Sequence, residues 1–196
     1  MTKAGVPRLR HATRRPAAAR EAGSIRYLRT GVWDNAGLAY PDTGQIMQLL
    51  DIGANLGHES FQHDFDAVLQ RAQAHGVERM IVTGASGQGS LQAAALARAY
   101  SGRLFATAGV HPHHALDYDA ATDAQLRELA RDPAVRAIGE TGLDYNRNYS
   151  PREIQLKVFE RQLQIAVDLQ LPLFLHQRDA HEDFIALLRR YRDRVP

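Results

Sequence analysis

Three apolar runs in this 196-residue chain end in side chains able to hold a metal ion. Ala106-Thr107-Ala108-Gly109-Val110 leads into His111-Pro112-His113-His114, and Val135-Arg136-Ala137-Ile138-Gly139 leads into Glu140, with Asp144 close behind. Leu173-Phe174-Leu175 leads into His176, followed by Arg178. If these runs are neighbouring parallel strands, about 4.8 Å apart, an acid and an imidazole at their ends face one mouth and can share an ion. Such nitrogen and carboxylate ligation suits Zn, Mn, Fe or Ni, while a carboxylate with waters also suits Mg. A hydrolase uses that ion to lower the pKa of a water and to polarise a phosphoryl or carbonyl oxygen. The plain alternative is that these groups are loop caps or exposed polar residues; His58, His63, His75 and His181 are read as solvent-exposed or satisfied histidines.

Other chemistries fail on inventory or spacing. The chain has no cysteine, which removes disulfides, thiolate zinc sites, iron–sulfur clusters and a cysteine nucleophile. Thr83-Gly84-Ala85-Ser86-Gly87-Gln88-Gly89 is glycine-rich, but it has neither P-loop nor dinucleotide-binding spacing and reads as a strand-to-helix turn. The same segment is one residue too short after Ser86 to be a nucleophile elbow.

The elements that must carry these residues follow from periodicity. Strands are expected at Leu49–Ile52, Met80–Thr83, Leu104–Val110, Val135–Gly139 and Leu173–Leu175. Between them Phe65, Val68, Leu69 and Ala72 keep helical spacing and stop at Gly76, and Leu91, Ala94, Ala95 and Ala99 stop at Gly102. Thr122 with Gln125 has capping-box spacing, and Ser150-Pro151-Arg152-Glu153 offers an N-cap, a first-turn proline and a carboxylate. A fifth helix is expected from about Asp179, with Phe184, Leu187, Leu188 and Tyr191 on one face. Five βα units make an α/β protein with a mainly parallel sheet. A five-stranded doubly wound sheet would be complete at this length, whereas a (β/α)8 barrel needs roughly 250 residues, so periodicity alone favours the open sheet.

Charge divides the chain. Apolar residues are 44% and charged residues 23% of it, a globular composition. Residues 1–46 carry eight basic groups against three acids, whereas residues 47–196 carry 16 against 19. The body is therefore slightly acidic and does not advertise a duplex-binding surface. The tail is rich in Arg, Ala, Gly and Pro and reads as a disordered basic extension. It could be a transit peptide, an electrostatic arm, or the product of a start placed upstream of Met47. No run of about eighteen apolar residues occurs and no secretory signal is evident, which predicts a cytoplasmic protein with no membrane contact and no obligate protein partner.

At its motifs the sequence resembles the TatD family of metal-dependent deoxyribonucleases, in its bacterial exonuclease branch. The segments that carry the likeness are Leu50-Asp51-Ile52-Gly53-Ala54-Asn55-Leu56, Ala108-Gly109-Val110-His111-Pro112-His113, Ile138 to Asn148 including Glu140-Thr141-Gly142-Leu143-Asp144, and Leu173 to Glu182 including His176-Gln177-Arg178-Asp179. The resemblance implies an α/β fold, a partial (β/α)8 TIM barrel of the metal-dependent hydrolase superfamily with about five βα units present. It implies a hydrolase cleaving nucleic-acid phosphodiesters, as a 3′–5′ exonuclease on single-stranded DNA or RNA. Glu140 and His176 match the family's metal ligands, with Glu140 also the catalytic position. His111, His113, Asp144 and Arg178 match positions expected to contact phosphate or substrate, where Arg178 would offset charge on the phosphoryl oxygens. The cofactor implied is a divalent ion, Mg first, then Mn or Zn. Where many relatives carry a His-x-His pair, this chain has Gly53 and Asn55. The family's later ligands lie beyond the fifth strand, so the chain is expected to be C-terminally truncated. A small-molecule amidohydrolase or deaminase of the same superfamily, and a noncatalytic remnant, are the competing expectations.

Overall fold

A computed structural model of the chain describes residues 48–196; the expectation for residues 1–46 lies outside the described residues. The body alternates strand and helix: β1 (Leu49–Ala54), α1 (Phe65–Ala74), β2 (Val77–Val82), α2 (Gly87–Ala99), β3 (Leu104–Ala108), α3 (Ala120–Leu129), β4 (Val135–Asp144), α4 (Arg152–Leu169), β5 (Leu173–Arg178) and α5 (His181–Arg189). A short 3₁₀ helix, Pro112–Asp117, joins β3 to α3. All five strands pair in parallel, in the order β1-β2-β3-β4-β5. That order overturns the open-sheet preference drawn from periodicity, because a doubly wound sheet reverses its strand order at a switch point. A strictly sequential order is the winding of a barrel wall, with each right-handed crossover placing its helix on the same side. No helix among the described residues is long and apolar enough to cross a membrane.

One face of this wall is packed. Met80, Val82, Leu104, Ala106 and Ala108 bury against Leu69, Ala93, Ala94, Ala97, Leu126, Val158 and Ile165 from the helices. The three alanines of α2 leave it little bulk at its contact with the sheet. A second cluster joins Leu143, Phe159, Leu163, Phe184, Leu187 and Tyr191, with Phe159 and Phe184 stacked at 5.2 Å. The other face is open: Leu50 and Ile52 are 51% and 58% exposed. They align with Arg79 and Ile81 of β2, and aligned residues of parallel strands point the same way.

The strands that end in chemistry run further than their apolar pattern. β4 continues through Glu140 to Asp144 and β5 through His176 to Arg178, so these residues lie within strands and not just past them. The β4–β5 register is irregular between Ile138 and Thr141, and the Gly139–Glu140 peptide is cis. Gly139 and Gly142 have φ of 139° and 150°, a region side chains avoid. A Cβ at Gly139 would stand 2.0 Å from the Phe174 carbonyl oxygen, and one at Gly142 would stand 1.9 Å from that of His176. Only glycine lets β5 lie this close to β4, and that closeness brings Glu140 to His176.

Two caps differ from expectation. Asp119 caps α3 by accepting from Thr122 N, while Gln125 reaches away to the Gly87 carbonyl. Ser150 does not cap α4. Its fully buried hydroxyl accepts from Leu116 N and donates to the His113 carbonyl, tying two loops together.

Candidate metal centre

The backbone under the site is held by side chains from the helices. Ser90 Oγ of α2 both accepts from Gly109 N and donates to Gly109 O, at 3.0 Å each. On α4, Gln162 accepts from Val110 N at 2.7 Å and donates to Val110 O at 3.0 Å. Gln155 does the same for Asp144, accepting from its N–H at 2.8 Å and donating to its carbonyl at 3.1 Å. All three side chains are fully buried. They occupy the places of ladder partners where β3 and β4 leave the sheet, where a buried unpaired peptide group is costly. The turn after β2 completes the support, with Gly84 O accepting from Glu140 N at 2.8 Å and Ala85 O accepting from His111 N at 2.9 Å. This glycine-rich segment is thus a strand-to-helix turn, capped by Ser86, whose outer carbonyls position two functional residues.

On this frame His111, Glu140 and His176 converge, each offering one ligand atom, all within 4.8 Å of one another. His176 Nδ1 lies 3.3 Å from Glu140 Oε1, and His111 Nε2 lies 3.9 Å from the same oxygen. His111 and His176 meet edge to face at 4.3 Å. The hydrogen bond to His176 holds the Glu140 carboxyl below its usual range, against burial that would raise it. The same bond raises His176, also against burial. His111 goes the other way: burial first, then the neighbouring His176, lowers it to about 4. Two imidazoles and one ionised carboxylate, partly buried in one mouth, are a donor set suited to a divalent transition ion. His176 Nε2 is buried without a hydrogen bond, 3.5 Å from Asp144 Oδ2, an orphan that native structures rarely leave.

Behind this cluster Asp144 is 1% exposed. It accepts from Asn146 N at 3.0 Å, Arg147 N at 2.8 Å and the His113 ring at 2.7 Å. Burial alone would raise its pKa; the Arg147 N–H, the His113 ring and the Asn146 N–H outweigh that and hold it at about 2.

Residues 50–195 match the model of the family described as "TatD related DNase". The chain belongs to this TatD-related family. It is 49% identical over 141 residues to the 3′-5′ ssDNA/RNA exonuclease TatD of Erwinia amylovora, covering 72% of this chain and 54% of that protein. The corresponding protein of Escherichia coli K12 is 47% identical over 148 residues, covering 76% and 56%. Among solved structures, a TatD homologue from Escherichia coli K12 superposes with a TM-score of 0.69 at 30% identity, over 75% of this chain and 57% of that one. An uncharacterised amidohydrolase from Saccharomyces cerevisiae gives 0.66 at 31%, over 74% and 52%. The chain therefore spans about half the length of the relatives it matches, and its five strands form part of the TatD-family barrel.

In this TatD-family chain several of the sequence-derived residues are brought together. Glu140 and His176 meet as expected. His111, expected at phosphate or substrate, has a ring nitrogen within 4.8 Å of the candidate ligand atoms of Glu140 and His176. Asp144, expected at phosphate or substrate, is buried and accepts from the His113 ring. Arg178 is exposed, two residues along β5 from His176 and so on its face, with no ion pair among the described residues. His58, His63, His75 and His181 are exposed, apart from the cluster. Sequence reasoning passes over Ser90, Gln155 and Gln162, and reads Ser150 only as a helix cap. The available signal was two glutamines seven apart on the apolar stripe of α4, among Val158, Phe159, Leu163 and Ala166.

Proposed function

We propose that His111, Glu140 and His176 hold a divalent cation, and that the protein hydrolyses phosphodiester bonds in single-stranded nucleic acid, releasing nucleotides from the 3′ end. The observation that carries this reading is the convergence of the three ligand atoms within 4.8 Å. The 3′-5′ ssDNA/RNA exonucleases among the relatives support it. When bound, the ion would supply Lewis-acid polarisation of a phosphoryl oxygen and a lowered pKa for a nearby water. With two nitrogen donors to one carboxylate, the set favours Mn or Zn over Mg.

The chain's own residues supply the rest. Glu140 stays ionised and keeps its negative charge beside the two rings. His111 Nδ1 accepts the His113 N–H at 3.2 Å, so the neutral ring carries its proton on Nε2, facing Glu140. Loading an ion there requires that ring to change tautomer and the proton between His176 and Glu140 to leave, so binding releases protons and weakens as pH falls. His113, fixed by Asp144, and Arg178, on the face of His176, are placed to orient the phosphate and offset its charge.

The test pairs Mn2+ titration by calorimetry with nucleotide release from a labelled single-stranded oligonucleotide. Glu140→Ala is expected to lower metal affinity and release by more than about 100-fold. Release that survives Glu140→Ala, or hydrolysis of a small cyclic amide in place of the oligonucleotide, would overturn the assignment, the latter in favour of an amidohydrolase.

A further inference from the structure

Beyond the ligand cluster, two loops meet on the rim and are unusually well fixed. In the loop of residues 145–150, Asn146 N and Arg147 N are held by Asp144, Asn148 Nδ2 donates to Tyr145 O at 2.6 Å, and Gln155 Nε2 donates to Ser150 O at 2.8 Å. Ser150 then ties this loop to Leu116 and His113 of the Pro112–Asp117 helix. Yet this rigid rim leaves two large apolar side chains in water, Leu116 at 61% and Tyr149 at 59% exposed.

Tyr149 is not loose. Its ring stands edge to face against His113, centroids 4.8 Å apart at 71°, and His113 in turn contacts His111 at 4.2 Å. Arg147 Nη1 donates to the Tyr149 hydroxyl at 3.1 Å, and the guanidinium lies 6.0 Å from the ring centroid. The ring is thus held from one side by the candidate site and from its tip by a cation, while more than half of it faces solvent. An aromatic held rigid but unburied forgoes the hydrophobic gain that normally justifies it. What such a ring can still gain is a second flat π-system on its open side, and the adjoining cation is suited to an anion beside that ligand. A nucleotide unit has both parts.

We propose that Tyr149 is a stacking platform for one base of a single strand whose phosphate lies at the metal cluster, with Arg147 contacting the flanking phosphate. This rests on the nuclease reading and names the part of the substrate the rim takes. Because every base has a π-face, the platform tolerates any sequence.

The experiment uses the full chain with Zn2+ and a cleavage-resistant phosphorothioate-linked strand, at about 0.3 M salt to suppress the basic segment's contribution to binding. The probe is a short thymidine oligomer carrying 2-aminopurine, whose fluorescence falls on stacking, at each of its 3′-proximal positions in turn. The expected result is quenching at one position with the wild-type protein, retained by Tyr149→Trp. Tyr149→Ala loses it and binds about tenfold or more weakly. Replacing that base by an abasic residue should weaken the wild type to the same level and leave Tyr149→Ala unchanged, a pattern that general misfolding would not give. Equal binding of both oligomers by wild type and Tyr149→Ala overturns the platform and leaves the nuclease reading standing. Failure of the wild type to bind any oligonucleotide overturns both together.

Discussion

The ends of β3, β4 and β5 differ from β1 in what holds them. β3 and β4 finish under Ser90, Gln155 and Gln162, each of which grips both peptide groups of one residue, and the β4–β5 pair is closed up by glycines. Among the described residues β1 pairs with β2 alone, exposes Leu50 and Ile52, and has Gly53 and Asn55 near its end where β4 and β5 carry Glu140 and His176. Each is a short parallel strand made by the same apolar pattern. Partners from distant helices fix one set of strand ends, where the candidate ligands gather, whereas β1 remains a wall.

The sharpest way to break this contrast is to remove a clamp. Gln162→Leu keeps the bulk and leaves the Val110 N–H and C=O unpaired, and Gln155→Leu does the same to Asp144. Each is expected to cost about 2–4 kcal/mol in urea unfolding; a loss below about 1 kcal/mol would show that water replaces the clamp. A second, smaller effect is acid sensitivity confined to the ligand end. In the metal-free chain His111 is held down to about 4 from a usual value of 6.5, so unfolding takes up a proton and stability falls as pH drops from 6.5 to about 4. Asp144, held at about 2 against a usual 3.8, contributes stability above that usual value and loses it as pH falls toward 2. The raised His176 contributes below its usual 6.5 and loses that contribution as pH rises through its folded value. Urea midpoints measured against pH should therefore decline in two acid stages, and His111→Gln should abolish only the upper one. The smallest effect belongs to β1: Ile52→Thr, on an open face, should change stability by no more than about 0.5 kcal/mol in the same unfolding assay.

The sequence carried the alternation of strands and helices because apolar period and cap chemistry are local. It also carried the meeting of Glu140 with His176, since neighbouring parallel strands must place their ends together. Periodicity alone could not reach strand order, because both architectures are built from the same βα unit and only pairing distinguishes them; the family-like segments pointed to the barrel. The apolar pattern stops short of the ends of β4 and β5 because Thr141, Gly142, His176 and Gln177 break the apolar run while remaining in the ladder. Thr122 was taken for a cap because its spacing to Gln125 fits, yet Asp119, with an ionised side chain at the helix N-terminus, wins the position. The approach of His111 to Glu140 and His176 depends on the turn at Ala85 holding its backbone, a contact across the sheet that no local pattern encodes.

The two glutamines of α4 act as a caliper. They stand seven residues apart, two turns or about 10 Å of helix, with one jaw on β3 and the other on β4. Inserting a single residue between them would swing one jaw round by about 100° and close it on nothing. Length can change before Gln155 or after Gln162 without disturbing the measurement; between them the helix has a fixed count.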